Sequence, residues 1–207
     1  CNICKGSHRK LARKMALLSQ GPTPPAGFVV EDLVAAGRAP HQSFFHQWRA
    51  EDETAIDCAL ERCGICDLRY REIETLSGGQ RQRAWMALAL AQETPVLLLD
   101  EPTTFLDIAA QIDLLDLAWT LNRDEGRTVV VILHDLNMAA RYADLIVALK
   151  DGQVIASGTP AEVMNGEVLR TVFGIEATVT DDPLTGAPLV MPIQAAVAET
   201  EDALLAG

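Results

Sequence analysis

Residues 96–150 read VLLLDEPTTFLDIAAQIDLLDLAWTLNRDEGRTVVVILHDLNMAARYADLIVALK, and the rhythm of this stretch decides the fold. Three short apolar runs, at 96–100, 128–133 and 145–150, alternate with segments at 108–122 and 135–142 whose apolar residues fall at helical spacing. Short all-apolar strands alternating with helices predict a parallel sheet covered on both faces. The same pattern continues upstream to a helix over 79–92 and, farther back, to MALLSQ (15–20), a short strand with a polar end. Downstream, the turn KDGQ (150–153) joins LIVALK to QVIASG as an antiparallel edge hairpin. The expected class is α/β. Between 15–20 and 79–92 lie a proline-rich loop, GPTPPAG (21–27), and helices over 30–38 and 51–63, a helical insert in the core.

Three strands end in polar groups: MALLS in Gln20, VLLL in Asp100 and Glu101, VVVIL in His134. Ligands of open α/β sheets gather at the carboxyl ends of the strands. Adjacent carboxylates there can divide the work, one facing a hydrated Mg²⁺ and the other polarising a water. Each residue alone has a plainer reading. A strand-end acid can cap the next element, a single histidine can be structural, and a single glutamine carries almost no signal. Ahead of helix 79–92 stands LSGGQ (76–80). A serine and two glycines at a helix mouth offer outward N–H groups, the positive end of the dipole and room for a phosphate to approach.

LSGGQ, VLLLDE, FLD and VVVILH occur in that order, and with them the chain resembles the ATP-binding-cassette (ABC) ATPases from about residue 11 to 192. The resemblance implies a P-loop NTPase-like α/β fold, a mostly parallel sheet flanked by helices, with a helical subdomain at 30–75. Residues 1–29 would be a remnant of the N-terminal core with the Q-loop. Residues 76–177 would hold the signature, Walker B, D-loop and H-loop, and 178–207 an acidic tail, expected to be loosely held. Asp100 would hold Mg²⁺ through water, with Gln20 sensing the metal, and Glu101 would be the general base. His134 would contact the γ-phosphate of ATP. Ser77, Gly78, Gly79 and Gln80 would grip ATP bound by a second ATPase subunit in a head-to-tail dimer, and Asp107 would bridge the two.

GRAPHQSFFHQW (37–48), EPTTFLDIAAQIDLLDL (101–117), LHDLNMAARYAD (133–144) and DDPLTGAPLVMP (181–192) look like ATPase subunits of bacterial ferric-siderophore importers. That resemblance implies transmembrane permease subunits as partners, a substrate-binding protein indirectly, and a place on the cytoplasmic face of the bacterial membrane. PHQSFFHQW is then either a permease-facing patch or subdomain core. Two other classes stay open: a soluble, non-transport cassette ATPase, and an inactive module lending only its signature loop.

The chain departs from the family in one respect. No G-x-x-x-x-G-K-[ST] loop occurs in the 207 residues, and CKGSH (4–8) has its residues in the wrong order. The expectation is a truncated copy lacking the first strands of its sheet, with part of its core exposed. Losing a phosphate cradle removes three or four charge-assisted hydrogen bonds of ~1.5–3 kcal/mol each. That is roughly 4–10 kcal/mol, or about three to seven decades of affinity.

Bulk properties agree with a globular protein: 49% apolar and 22% charged residues, with a net charge of −12. The acidity argues against nucleic acid as a partner. Residues 1–20 carry five Lys/Arg and no acid, so 12 basic residues face 29 acidic ones in the remainder. Cys1 and Cys4 form one C-x-x-C and Cys63 and Cys66 another, but 58 residues separate the pairs, too many for a zinc ribbon. Reduced thiols in a cytosolic protein are the expectation.

Overall fold

In the computed structural model, which describes residues 7–20, 26–42, 48–104 and 106–196, the chain divides between Leu133 and His134 into two units. Expectations for residues 4–6 of CKGSH, the first C-x-x-C, 21–25 of the prolyl loop, 43–47 of the aromatic segment and the end of the tail lie outside the described residues.

The first unit runs α1 (His8–Ala12), β1 (Met15–Leu18), α2 (Val30–Ala36), α3 (Ala50–Arg62), α4 (Gly78–Ala91), β2 (Val96–Asp100), α5 (Ile108–Glu125) and β3 (Thr128–Ile132). The three strands form a parallel sheet in the order β1-β2-β3. β2 is the predicted 96–100 to the residue. α5 begins at Asp107, whose Oδ1 accepts from the Ala110 N–H at 2.9 Å, and ends at Gly126 with φ 65°.

One face of the sheet is closed. Ala16, Leu18, Leu97 and Leu99 are buried on it, Val129 and Val131 pack beside them, and α4 and α5 contribute Met86, Leu90, Ala118 and Leu121 to the same core. The other face carries exposed apolar side chains. Leu17, Leu98 and Val130 stand in one row across the three strands, with Leu17 at 59% and Val130 at 50% exposure, and Ile132 beyond at 52%. The expectation of a sheet covered on both faces is corrected for the first unit: among its described residues, helices cover one face.

The helical insert packs α2 and α3 on α4. At Gly37 an added Cβ would lie 2.3 Å from the Leu88 carbonyl oxygen, so only glycine lets α2 meet α4 this closely. Arg38 follows. It is 4% exposed, and its guanidinium donates to Asp52 Oδ1 (2.8 Å), to the Ala91 carbonyl (2.7 Å) and to Glu93 Oε2 (2.7 Å). One buried cation thus ties α3 to the end of α4. Burial alone would raise the Asp52 pKa, but the hydrogen bonds from Arg38 and the Arg49 backbone N–H, together with the charge of Arg38, hold it below its ordinary value.

The second unit holds α6 (Leu136–Tyr142), an antiparallel pair β4 (Ile146–Lys150) and β5 (Gln153–Gly158), and a second pair β6 (Ile175–Asp181) and β7 (Pro188–Ala195). Asn137 of α6 both donates to the Val190 carbonyl (3.1 Å) and accepts from its N–H (2.7 Å), fixing the helix to β7 over a core of Ala140, Met164, Leu169 and Val190. Two expectations are corrected here. The run at 145–150 pairs with β5 alone among the described residues and adds no strand to the parallel sheet. The segment from 178, expected to be loose, is a hydrogen-bonded hairpin through Ala195.

Candidate functional site

The first unit brings Gln20, Asp100, Glu101 and Thr104 to the carboxyl ends of β1 and β2. Leu18 pairs with Leu99 in register, so the residues that follow each leave the sheet at the same end. There the Gln20 side-chain amide donates to Glu101 Oε2 at 2.6 Å, across 81 residues of sequence. Thr104 Oγ1 donates to the same oxygen at 3.2 Å, and its backbone N–H reaches the Glu101 carbonyl at 3.3 Å. That second bond closes a turn with buried Pro102 at its second position, where proline's fixed φ suits the turn.

Glu101 itself has φ 48°, in the left-handed region. A long side chain rarely sits there, at a cost of ~1–3 kcal/mol, and such strain collects at functional positions. Asp100, half-buried, is the last residue of β2 and pairs with Ile132.

The mouth of α4 is built as the sequence suggests. Ser77 caps the helix, its Oγ accepting from the Gln80 N–H at 3.3 Å, while Gln80 Oε1 accepts from the Ser77 N–H at 3.1 Å. Gln80 therefore spends its side chain on the cap. Ser77 and Gly78 are exposed, and no acidic residue occupies the first turn to neutralise the dipole. An added Cβ at Gly79 would make only ordinary contact, 3.6 Å from Ala110 Cβ. Nothing among the described residues demands glycine there. Asp107 is exposed and caps α5. His134 is the exposed first residue of the second unit, ahead of Asp135, which caps α6 by accepting from the Asn137 and Met138 N–H groups, each at 2.9 Å.

Thr104 is the residue that sequence reasoning passed over. A signal was present: in EPTT the hydroxyl lies three residues after the acid, with proline in the turn position between them. No group of three or more His, Cys, Asp or Glu suited to a metal ion occurs among the described residues. Cys58 and Cys66 are exposed, and Cys63 is buried with its thiol pushed up to about 12 by desolvation, so it stays protonated and unreactive near neutral pH. No helix among the described residues is long and apolar enough to cross a membrane.

Comparison with known proteins gives one consistent picture. The family profile described as "ABC transporter" matches residues 2–104. The ferric enterobactin transport ATP-binding protein FepC of Escherichia coli (strain K12) is 49% identical over 185 residues, 89% of this chain and 68% of that protein. The iron(3+)-hydroxamate import ATP-binding protein FhuC of Bacillus subtilis (strain 168) is 49% identical over 189 residues, 91% of this chain and 70% of that protein. Among solved structures, an ABC transporter in an inward-facing conformation superposes with a TM-score of 0.79 at 28% identity, covering 87% of this chain and 73% of that one.

Proposed function

The chain belongs to the ABC transporter ATPases, whose ATP hydrolysis is coupled to transport, and on that premise we propose that it is the ATP-hydrolysing subunit of an importer for ferric siderophores. The observation that carries the mechanism is the Gln20–Glu101 hydrogen bond, which joins the ends of two adjacent parallel strands around one carboxylate. Glu101 is the general base for the attacking water. Gln20, with its amide nitrogen turned to Glu101, keeps its amide oxygen for a cation. With Asp100 it makes a donor set of one carboxamide and one carboxylate, which suits Mg²⁺, an ion that retains most of its waters. When bound, Mg²⁺ neutralises phosphate charge.

The open first turn of α4 fits a phosphate from outside the chain. Its N–H groups and dipole favour an anion, and among the described residues no contact requires Gly79 to be glycine. Ser77, Gly78 and Gly79 then serve ATP held by a second ATPase subunit, with Gln80 supporting them through the cap. Asp107 faces that subunit, and His134 contacts the γ-phosphate. Transmembrane permease subunits, reached from the cytoplasmic face of the membrane, are the other partners, with a substrate-binding protein beyond them. The cargo class rests on the iron-chelate relatives, near 49% identity over about nine-tenths of this chain.

The test is co-purification from detergent-solubilised membranes. A tagged copy of the chain should retain the permease pair of a ferric-siderophore importer and not that of a cobalamin importer. Recovery of neither permease, or of the cobalamin permease alone, would reject the assignment.

A further inference from the structure

At the amino-terminal end of β1 the first unit gathers a second set of charges, and we infer that it is a binding site for a small phosphate-type oxyanion. A cavity of about 290 Å³ there is lined by Arg13, Arg38, His41, Arg49, Glu51 and Asp52. Arg13 stands two residues before β1 and Gln20 two residues after it, so this cavity and the Gln20–Glu101 contact lie at opposite ends of the strand. Nothing in the site requires the chain to be a transport ATPase.

The cations there exceed their partners. Arg9 Nε and Arg13 Nε both donate to the Pro40 carbonyl, each at 2.9 Å, and Arg13 Nη2 reaches the His41 carbonyl at 3.4 Å. Two guanidiniums thus share one neutral oxygen, and among the described residues neither has a carboxylate partner. One arginine suffices to tie α1 to this carbonyl; the second adds like-charge repulsion that a bound anion relieves. Arg38, 4% exposed, spends Nε and Nη1 on Asp52, Ala91 and Glu93. Its Nη2 makes no bond among the described residues, and it is not sealed in as Arg81 Nε and Trp85 Nε1 are. A buried guanidinium therefore keeps two N–H groups for the cavity it lines. The acids do not cancel the set. Asp52 is committed to Arg38 at 2.8 Å, and Glu51, its side chain 78% exposed, meets Arg49 only at 3.9 Å. Guanidinium forks match the oxygens of phosphate. The volume is at the lower limit for ligand pockets, which suits pyrophosphate or a phosphate monoester and not a whole nucleotide.

The experiment is a calorimetric titration of pyrophosphate into the full 207-residue chain carrying Ser77→Arg, which removes the first turn of α4 as a competing phosphate site. Saturable binding with a Kd below about 1 mM is expected. Arg13→Gln should weaken it about tenfold or more, and Arg9→Gln by a smaller factor. Glu51→Gln should tighten it about twofold, because it takes a carboxylate out of the lining. Lys10→Gln removes the same charge from α1 at a position that does not line the cavity, and should change affinity by less than about twofold. All four positions are exposed, and melting curves check that each variant folds. Displacement of pyrophosphate by phosphatidylglycerol vesicles and not by phosphatidylcholine vesicles would make a lipid headgroup the source of the phosphate; no displacement by either would make it a soluble phosphate. Absence of saturable binding, or equal losses in Arg13→Gln and Lys10→Gln, overturns the site.

Discussion

Gln20 and Glu101 meet at 2.6 Å although 81 residues separate them, and Glu101 makes that contact from a left-handed backbone with φ 48°. The strain predicts a paired outcome. Glu101→Gly and Glu101→Ala both lose the carboxylate and its bonds from Gln20 and Thr104, but only alanine keeps a Cβ in the left-handed region. Glycine should leave the chain more stable than alanine by about 0.5–1 kcal/mol, the left-handed penalty less glycine's extra freedom in the unfolded chain. Urea unfolding of the two variants measures it. Equal midpoints, or alanine the more stable, would mean that the strain is absent.

Arg38 and Asp52 make the second prediction. Both side chains are 5% exposed, so removing one partner strands the other. Arg38→Ala should cost about 3–5 kcal/mol, read from the denaturation midpoint. The pH dependence follows from Asp52, whose pKa is lowered from 3.8 in the folded chain. A depressed carboxylate stabilises the fold in full above its unfolded pKa. That contribution is lost as pH falls through the unfolded value toward the lower folded one. Wild type should therefore lose stability on acidification below about pH 4 more steeply than Asp52→Asn, and parallel curves would reject the ion pair as the cause.

Much of this arrangement was readable from the chain, for physical reasons that also mark where reading stopped. β2 was legible to the residue because VLLL is one unbroken apolar run between Pro95 and Asp100. α5 was read three residues short, because Arg123, Asp124 and Glu125 add no apolar period and only the left-handed Gly126 ends the helix. β7 was missed because Pro188 and Pro192 argue against a strand. In the hairpin Pro188 takes the first position and Pro192 pairs beside the irregularity at Glu176/Ala177, places that tolerate a missing N–H. The strand-end rule brought Gln20 to Glu101. The EPTT turn signal for Thr104 was present but went unread, and which oxygen its hydroxyl reaches depends on the left-handed backbone angle of Glu101.

The open sheet face gives a third prediction. Leu17, Leu98 and Val130 form one row, with Ile132 beside it, and apolar side chains in a contiguous exposed row bind hydrophobic dyes. Val130→Thr and Ile132→Thr together should cut anilinonaphthalene-sulfonate fluorescence several-fold. Because both positions are half exposed, they should cost less than about 1 kcal/mol of stability. Unchanged dye binding would show that this face is covered in solution.

The last prediction concerns nucleotide. With no G-x-x-x-x-G-K-[ST] loop in its sequence, the chain should bind ATP about three to seven decades more weakly than a cassette that has one. A titration giving micromolar affinity for these residues alone would contradict this. The proposed phosphate site at 76–80 needs no such cradle, because the Ser77 cap and the exposed first turn of α4 are formed by the chain itself. Mixed with a complete cassette, the chain should therefore stimulate that partner's hydrolysis. Ser77→Arg should abolish the stimulation by filling the turn with a side chain. Ser77→Ala loses the cap and about 1 kcal/mol of stability, so it should lower the melting temperature and weaken stimulation in part. Ser77→Asn keeps the cap and should melt as wild type does. Full stimulation by Ser77→Arg would mean that the open turn of α4 faces no nucleotide at all.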